Sequence, residues 1–412
     1  MAAAVGLRRR PFMPRRRPRL ADDRQISGLM HSRPLVVGAL GVAQTLAWGS
    51  SYYLPAILAG PISAGVGVPQ SWVFAAFSGA LLLAAFAGPA VGRIVDWHGG
   101  RGVLAASNIV LAAGLVALAA ANGPVLLFAA WAILGVGMAL GLYDTAFAAL
   151  TALYGRDARG PITGITLIAG FASTVSWPLT TLLHGSLGWR ETLLVWAGLN
   201  LVLGLPLNLL LPYRERTART AHQRDRSIGW RPYREMFLLA FVFAAAWFVT
   251  GAMAAHLPRL LELAGASPLQ AITAAALVGP AQVVARLAEF FLLRRSHPLV
   301  PARLAALLHP VGALILAAIG PAAAAAFAIF YGAGNGLLTI ARGTVPLAVF
   351  GPHGYGERTG LLGAPARAAQ ALAPLLFGIL LDAMGASVII VSSALCLAAF
   401  AALFGLRASR PD

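Results

Sequence analysis

The chain has 412 residues, 59% of them hydrophobic and only 11% charged, with a formal net charge of +17. Apolar runs long enough to cross ~30 Å of hydrocarbon recur along it, which excludes a soluble globular protein and predicts an all-α polytopic membrane protein. The positive charge does not argue for a nucleic-acid partner, because the arginines fall in tails and in turns between apolar runs, where cytoplasmic loops carry them.

Every one of the 31 Lys+Arg positions is Arg, so a Walker phosphate loop and a Schiff-base lysine are both excluded. The single cysteine, Cys396, lies in an apolar run and rules out a disulfide framework. The eight histidines, His31, His98, His184, His222, His256, His297, His309 and His353, have no metal-ligand spacing, and no metal or other cofactor is expected.

Residues 1–34 read as a disordered Arg/Pro-rich cytoplasmic arm, with Met30 a second candidate start. From Leu35 twelve apolar spans follow, at 35–59, 72–91, 103–121, 125–150, 162–184, 191–211, 235–257, 269–293, 304–319, 322–350, 359–381 and 386–406. Turns bearing Arg, at 92–102, 154–160, 212–234, 294–303 and 351–358, alternate with turns at 60–71, 120–124 and 320–321 that are nearly free of charge. By the positive-inside rule the first set and both termini are cytoplasmic.

The turn after the second span reads G-P-A-V-G-R-I-V-D-W-H-G-G-R-G-V-L from Gly88 to Leu104. Its glycines permit a tight backbone, and Asp96 between Arg93 and Arg101 is placed to hold helix ends by charge and hydrogen bonding. The pattern Gly92-x-I-V-Asp96-x-x-Gly99-Gly-Arg101 resembles the loop between helices 2 and 3 of the major facilitator superfamily, with Trp97 where that family usually has a basic residue.

The resemblance covers about residues 35–406 and implies twelve transmembrane helices in two six-helix bundles related by a pseudo-two-fold axis. The bundles are expected at 35–211 and 235–406, joined by a solvated cytoplasmic linker at 212–234 and followed by a tail at 407–412. The halves echo each other: Gly88-Pro89-Ala90 recurs as Gly279-Pro280-Ala281, and Arg93-x-x-Asp96 as Arg286-x-x-Glu289. Arg286 and Glu289 are therefore expected to repeat, in the second half, the gating role that the resemblance gives Gly92, Arg93, Asp96, Gly99 and Arg101. Asp96 is expected near the N-terminus of the eleventh helix, around Thr359 and Gly360, with Arg101 as a secondary partner.

A secondary transporter of this family implies a small-molecule substrate, a proton as candidate coupling ion, the lipid bilayer as surroundings, a monomeric state and a bacterial inner-membrane location. A non-transporting membrane enzyme or sensor would need a catalytic constellation that the sequence lacks. The fifth span has Pro178 but no G-P-x-x-G-G, which weighs against drug/proton antiport, although lipophilic drug efflux stays open as an alternative. The first span, Ala47 to Pro55, is similar to the Gly/Trp-rich first helix of the monocarboxylate-porter branch and its bacterial relatives, some of which export arsenicals.

An ionisable side chain deep in a span is expensive, so Asp144 in the fourth and Arg342 in the tenth are functional candidates. They form either a substrate or proton site between the halves or a structural pair. Arg367 with Gln370 in the eleventh span is the weaker candidate, since Arg367 could snorkel to the surface. Helical spacing groups Gln44, Trp48, Ser51, Tyr52 and Pro55 on one face of the first span, Phe243, Trp247 and Thr250 on one face of the seventh, and Tyr331, Asn335 and Arg342 on one face of the tenth. The expected substrate site joins Gln44, Tyr52, Asp144, Trp247, Tyr331, Asn335 and Arg342, and its guanidinium, amide and phenol suit a small anion or polar solute.

Overall fold

A computed structural model of the chain describes residues 32–213, 230–293 and 295–406. Residues 1–31 of the expected arm, 214–229 of the linker and the tail lie outside the described residues, while Arg33 and Pro34 already belong to the first helix and 230–234 to the helix after the linker. Among those described, the regular structure is helical: α1 (Arg33–Gly49), α2 (Pro55–Val66), α3 (Gln70–His98), α4 (Gly100–Ala119), α5 (Pro124–Gly141), α6 (Tyr143–Tyr154), α7 (Arg159–Ile168), α8 (Ala172–Leu187), α9 (Trp189–Leu199) and α10 (Leu205–Leu209) come before the linker. After it come α11 (Trp230–Leu263), α12 (Pro268–Ala276), α13 (Val278–Ala288), α14 (Leu299–Ile319), α15 (Ala324–Phe350), α16 (Tyr355–Met384) and α17 (Val388–Ala402).

Among the described residues, eight helical stretches are long and apolar enough to cross a membrane. Three of them, of 64, 52 and 48 residues, are too long for one ~20-residue crossing. Each contains a reversal at a glycine with positive φ: Gly155 (φ +58°), Gly320 (φ +79°) and Gly385 (φ +59°). Any other residue would be strained there, and the glycine lets one span follow another with almost no loop. With the two-part first span, this division is consistent with twelve passes. Phe86, Val125, Phe237 and Leu292 are 80%, 84%, 77% and 78% exposed, which places them on a lipid-facing surface.

The first span is not the continuous helix expected. Pro55 has no N–H to bond Ser51, so the regular ladder stops at Gly49 and restarts at Pro55, with Leu54 itself in helical backbone (φ −60°, ψ −46°) and its carbonyl accepting from Leu58 N (3.0 Å). The shared face inferred for Gln44, Trp48, Ser51, Tyr52 and Pro55 is therefore cut in two. The fourth span is broken as well, at Leu142, whose ψ of −175° is extended. Two carbonyls orphaned by that break are repaired by side chains: Thr145 Oγ1 donates to Ala139 O (2.8 Å) and Gln44 Nε2 to Gly141 O (2.6 Å). The break starts a new helix, α6, with Asp144 in its first turn, where the helix dipole favours a carboxylate.

The first half buries one contiguous apolar core, which Leu347 and Tyr355 of the second half join. The second half has two main clusters, one around Phe327 and Phe377 and the other around Phe243 and Val345. Between them lies a small cavity of about 40 Å³ lined by Thr250, His309, Tyr331, Asn335 and Cys396.

Candidate functional site

At the Arg-bearing end, α3 and α16 run antiparallel and touch backbone to backbone across the two halves. A Cβ built on Gly92 would lie 2.0 Å from Gly356 O, and one on Gly360 would lie 2.5 Å from Gly88 O. This approach puts the Asp96 carboxylate over the start of α16, where Oδ1 accepts from Gly356 N (2.9 Å) and Oδ2 from Glu357 N (2.9 Å). The contact is one turn earlier than the expected Thr359 and Gly360. Arg93 pairs with Glu357 at 3.5 Å between exposed groups, where such a pair contributes little. Arg101, the expected secondary partner, lines a cleft of about 360 Å³ with His98, Gly99 and Tyr213.

Asp96→Asn removes the charge and presents an amide N–H₂ toward two N–H donors. It is expected to part the α3 and α16 ends, because a partly buried carboxylate at a helix N-terminus contributes up to ~2 kcal/mol. Spin labels at Trp97 and His353, read by pulsed electron resonance, should then report a longer and broader distance. An unchanged distribution would remove Asp96 from the latch.

A second contact joins the halves at the same end. Arg159 of α7 donates to Glu289 Oε1 (3.0 Å), to Leu293 O (3.1 Å) and to Ser296 O. Glu289 is buried, and Arg159 is about one-fifth exposed. In the adjoining turn, burial and the charges of Arg159 and Arg303 push the His297 pKa below its ordinary value, which keeps a further positive charge away from Arg159 at neutral pH.

Arg286 departs from its expected role. It does not form an ion pair with Glu289 and does not sit at the Arg-bearing surface. The residue is 6% exposed, and its guanidinium presses on Gly170 of the first half, where a Cβ would lie 2.3 Å from Nη1. It donates to Gln282 Oε1 (3.2 Å) and Thr339 Oγ1 (3.4 Å), its Nε has no partner, and its charge acts on Tyr53 and Tyr143. Those phenols belong to an aromatic cluster with Trp48, Tyr52 and Trp177, whose ring centroids lie 5.0–5.9 Å apart.

Asp144 and Arg342 do meet, and Arg367 joins them. Asp144 Oδ2 accepts from Arg342 Nη2 (2.6 Å) and from Arg367 Nη2 (2.5 Å), and each of the three residues is 8% exposed. Arg367 Nη1 also donates to Ala84 O (2.8 Å), so this side chain is buried between the halves and does not snorkel. Arg342 stacks on Trp247, with Cζ 4.8 Å from the ring centroid. Both arginines belong to the second half and the carboxylate to the first, so one negative charge sits between two positive ones.

The remaining candidates are elsewhere. Tyr331 and Asn335 face the cavity inside the second half, where Thr250 Oγ1 donates to Asn335 Oδ1 (3.0 Å). Gln44 is spent on the Gly141 carbonyl, and Tyr52 accepts from Gln370 Nε2 (2.6 Å) across the halves. The residues expected to form a single site, Gln44, Tyr52, Asp144, Trp247, Tyr331, Asn335 and Arg342, thus fall into four groups of contacts, with Tyr52 close enough to Tyr331 to act on it across the halves. Arg159 escaped sequence reasoning because an arginine in a charged turn looks like any other. Arg367 carried a signal, its depth in an apolar run, but its partner is 223 residues away.

Comparison with known proteins gives three findings. The family model described as Major Facilitator Superfamily matches residues 38–356. An uncharacterized 38 kDa protein in the 23S RNA operon of Thermoproteus tenax is 35% identical over 135 residues, which is 32% of this chain and 35% of that protein, so the match spans about a third of the relative's length. The fold is that of the human organic anion transporter MFSD10 (TM-score 0.71, 18% identity, 90% of this chain and 99% of that one) and of the transporter FucP in the outward conformation (TM-score 0.69, 13% identity, 90% and 98%).

Proposed function

The chain belongs to the Major Facilitator Superfamily, and from that premise we propose that it is a secondary transporter of a small organic anion. Membership makes it a multi-pass membrane transporter and not an enzyme. The charge balance between the halves supports the anion. With Glu289 engaged by Arg159, the buried charged groups left among the described residues are Arg286, Arg342 and Arg367 against Asp144.

The single observation that carries the reading is Arg286, a residue 6% exposed whose guanidinium has no carboxylate partner among the described residues. An uncompensated charge in a low-dielectric interior costs several kcal/mol, and an anion docking on its planar fork offsets that cost. The aromatic cluster beside it suits an apolar substituent, which favours an organic over an inorganic anion. The description of MFSD10 as an organic anion transporter agrees with this class.

Transport proceeds by rocking of the bundles at 35–211 and 235–406 about the site. Among the described residues, the hydrogen bonds and ion pairs of Arg93, Asp96, Arg159, Asp144, Arg367 and Tyr52 that join the halves lie between mid-depth and the Arg-bearing end, which the positive-inside rule makes cytoplasmic. This arrangement corresponds to the outward-facing state of a monomer in a bacterial inner membrane with both termini in the cytoplasm.

Proteoliposome uptake of radiolabelled benzoate, lactate and pyruvate tests the reading. Arg286→Gln should cut the transported anion's uptake by at least ~10-fold, a loss of ~1.4 kcal/mol, while the protein stays monodisperse with helical circular dichroism. Undiminished uptake in Arg286→Gln would reject the anion site. Transport of a lipophilic cation but of no anion would favour drug efflux.

A further inference from the structure

We propose that Arg342 and Arg367 form a second anion-binding site, which Asp144 occupies in the present state as a built-in substitute for a substrate carboxylate. The inference rests on the anion reading above and extends it to the opposite end of the transport cycle.

Arg342 on α15 and Arg367 on α16 are on the same half and reach the same point, the Asp144 Oδ2 atom, at 2.6 and 2.5 Å. Asp144 is on the other half. When the halves separate at the Arg-bearing end, the carboxylate leaves with its own bundle and the two guanidiniums stay behind together.

Their forks have donors to spare. Each guanidinium has five N–H groups, and among the described residues Arg342 uses one hydrogen bond, to Asp144, while Arg367 uses two, to Asp144 and Ala84 O. Trp247, on the second half, remains stacked on Arg342 and holds it in place. Gly363 keeps the spot clear, since a Cβ there would lie 3.1 Å from Asp144 Oδ2 and 3.2 Å from Arg342 Nη2.

Two convergent guanidiniums left without a carboxylate would bind a planar anion of the carboxylate type. Binding of such an anion at this point and closure by Asp144 exclude each other. A carboxylate-bearing substrate arriving from that end would hold the halves apart until it moves on, toward Arg286, and Asp144 would then refill the clamp.

The test is chemical rescue of the purified full-length protein. Sodium formate, compared with sodium chloride at equal ionic strength, should raise the melting temperature of Asp144→Ala in a saturable way, with an apparent affinity at least ~10-fold above that of the parent protein. The shift should vanish in Asp144→Ala/Arg342→Gln/Arg367→Gln. If Asp144→Ala does not fold, Gly92→Leu, which parts the same end and leaves Asp144 intact, should show a formate shift that is lost when Arg342→Gln and Arg367→Gln are added.

No formate-specific shift in a folded variant, or a shift that survives loss of both arginines, would overturn the proposal. Because binding is read without transport, failure of anion uptake alongside a retained formate shift would remove the transport reading and leave this site in place.

Discussion

Gly92→Leu is expected to drive the protein out of the described state altogether. A leucine Cβ would lie 2.0 Å from Gly356 O, 2.3 Å from Gly356 C and 2.8 Å from Glu357 N, all backbone atoms that no rotamer change can move. The helices must part, and with them go the two hydrogen bonds to Asp96. A cysteine introduced at buried Thr359, in a Cys396→Ser background, should become labelled by maleimide from the Arg-bearing side at least ~10-fold faster, which corresponds to a population shift of ~1.4 kcal/mol or more. Gly79→Leu in the same helix is the control, since nothing lies within 4 Å of its Cβ position. Equal labelling in the Gly92 and Gly79 variants would mean that the glycine contact does not set the state.

Asp144→Ala is expected to be the most destabilising single change at the interface. It leaves two guanidiniums, each 8% exposed, without their shared carboxylate, and removing one partner of a buried ion pair typically costs ~3–5 kcal/mol. Arg367→Gln should cost less, because Asp144 keeps Arg342. Replacing all three by Leu, Met and Met should recover much of the loss, since a well-packed apolar set avoids the desolvation cost of the charges. Thermal melts in detergent of the single, paired and triple variants give the ordering. A triple variant no more stable than Asp144→Ala would mean that packing and not charge holds the cluster.

The fold was legible because its signals are local. Apolar runs of membrane length and the Gly92-to-Arg101 pattern depend on adjacent residues, and both pointed to the family now found over residues 38–356. The interruptions were harder to read. Pro55 gives a sequence cue for the break in the first span, but the break at Leu142 is stabilised by Gln44 from another helix and has no equivalent local cue.

The site was legible in depth and not in direction. Asp144, Arg342 and Arg367 stood out as charges inside spans, whereas the meeting of all three at one oxygen depends on how two bundles pack. Arg286 was misread because its spacing to Glu289 echoes that of Arg93 to Asp96. Its surroundings are set by Gly170, which leaves room for a guanidinium at the interface. Tyr331, Asn335 and Arg342 do share a helix, but the first two face a cavity within their own half while the third reaches across to the other.

The reversals at Gly155, Gly320 and Gly385 have a mechanical consequence. A turn of so few residues has little slack, so the two spans it joins cannot slide far past one another without breaking helix. If the halves rock as proposed, the two spans joined at each of these glycines would move as one body. Inserting two or three flexible residues after Gly320 would then add play between its two spans, leaving ligand binding intact while the motion that follows it is weakened.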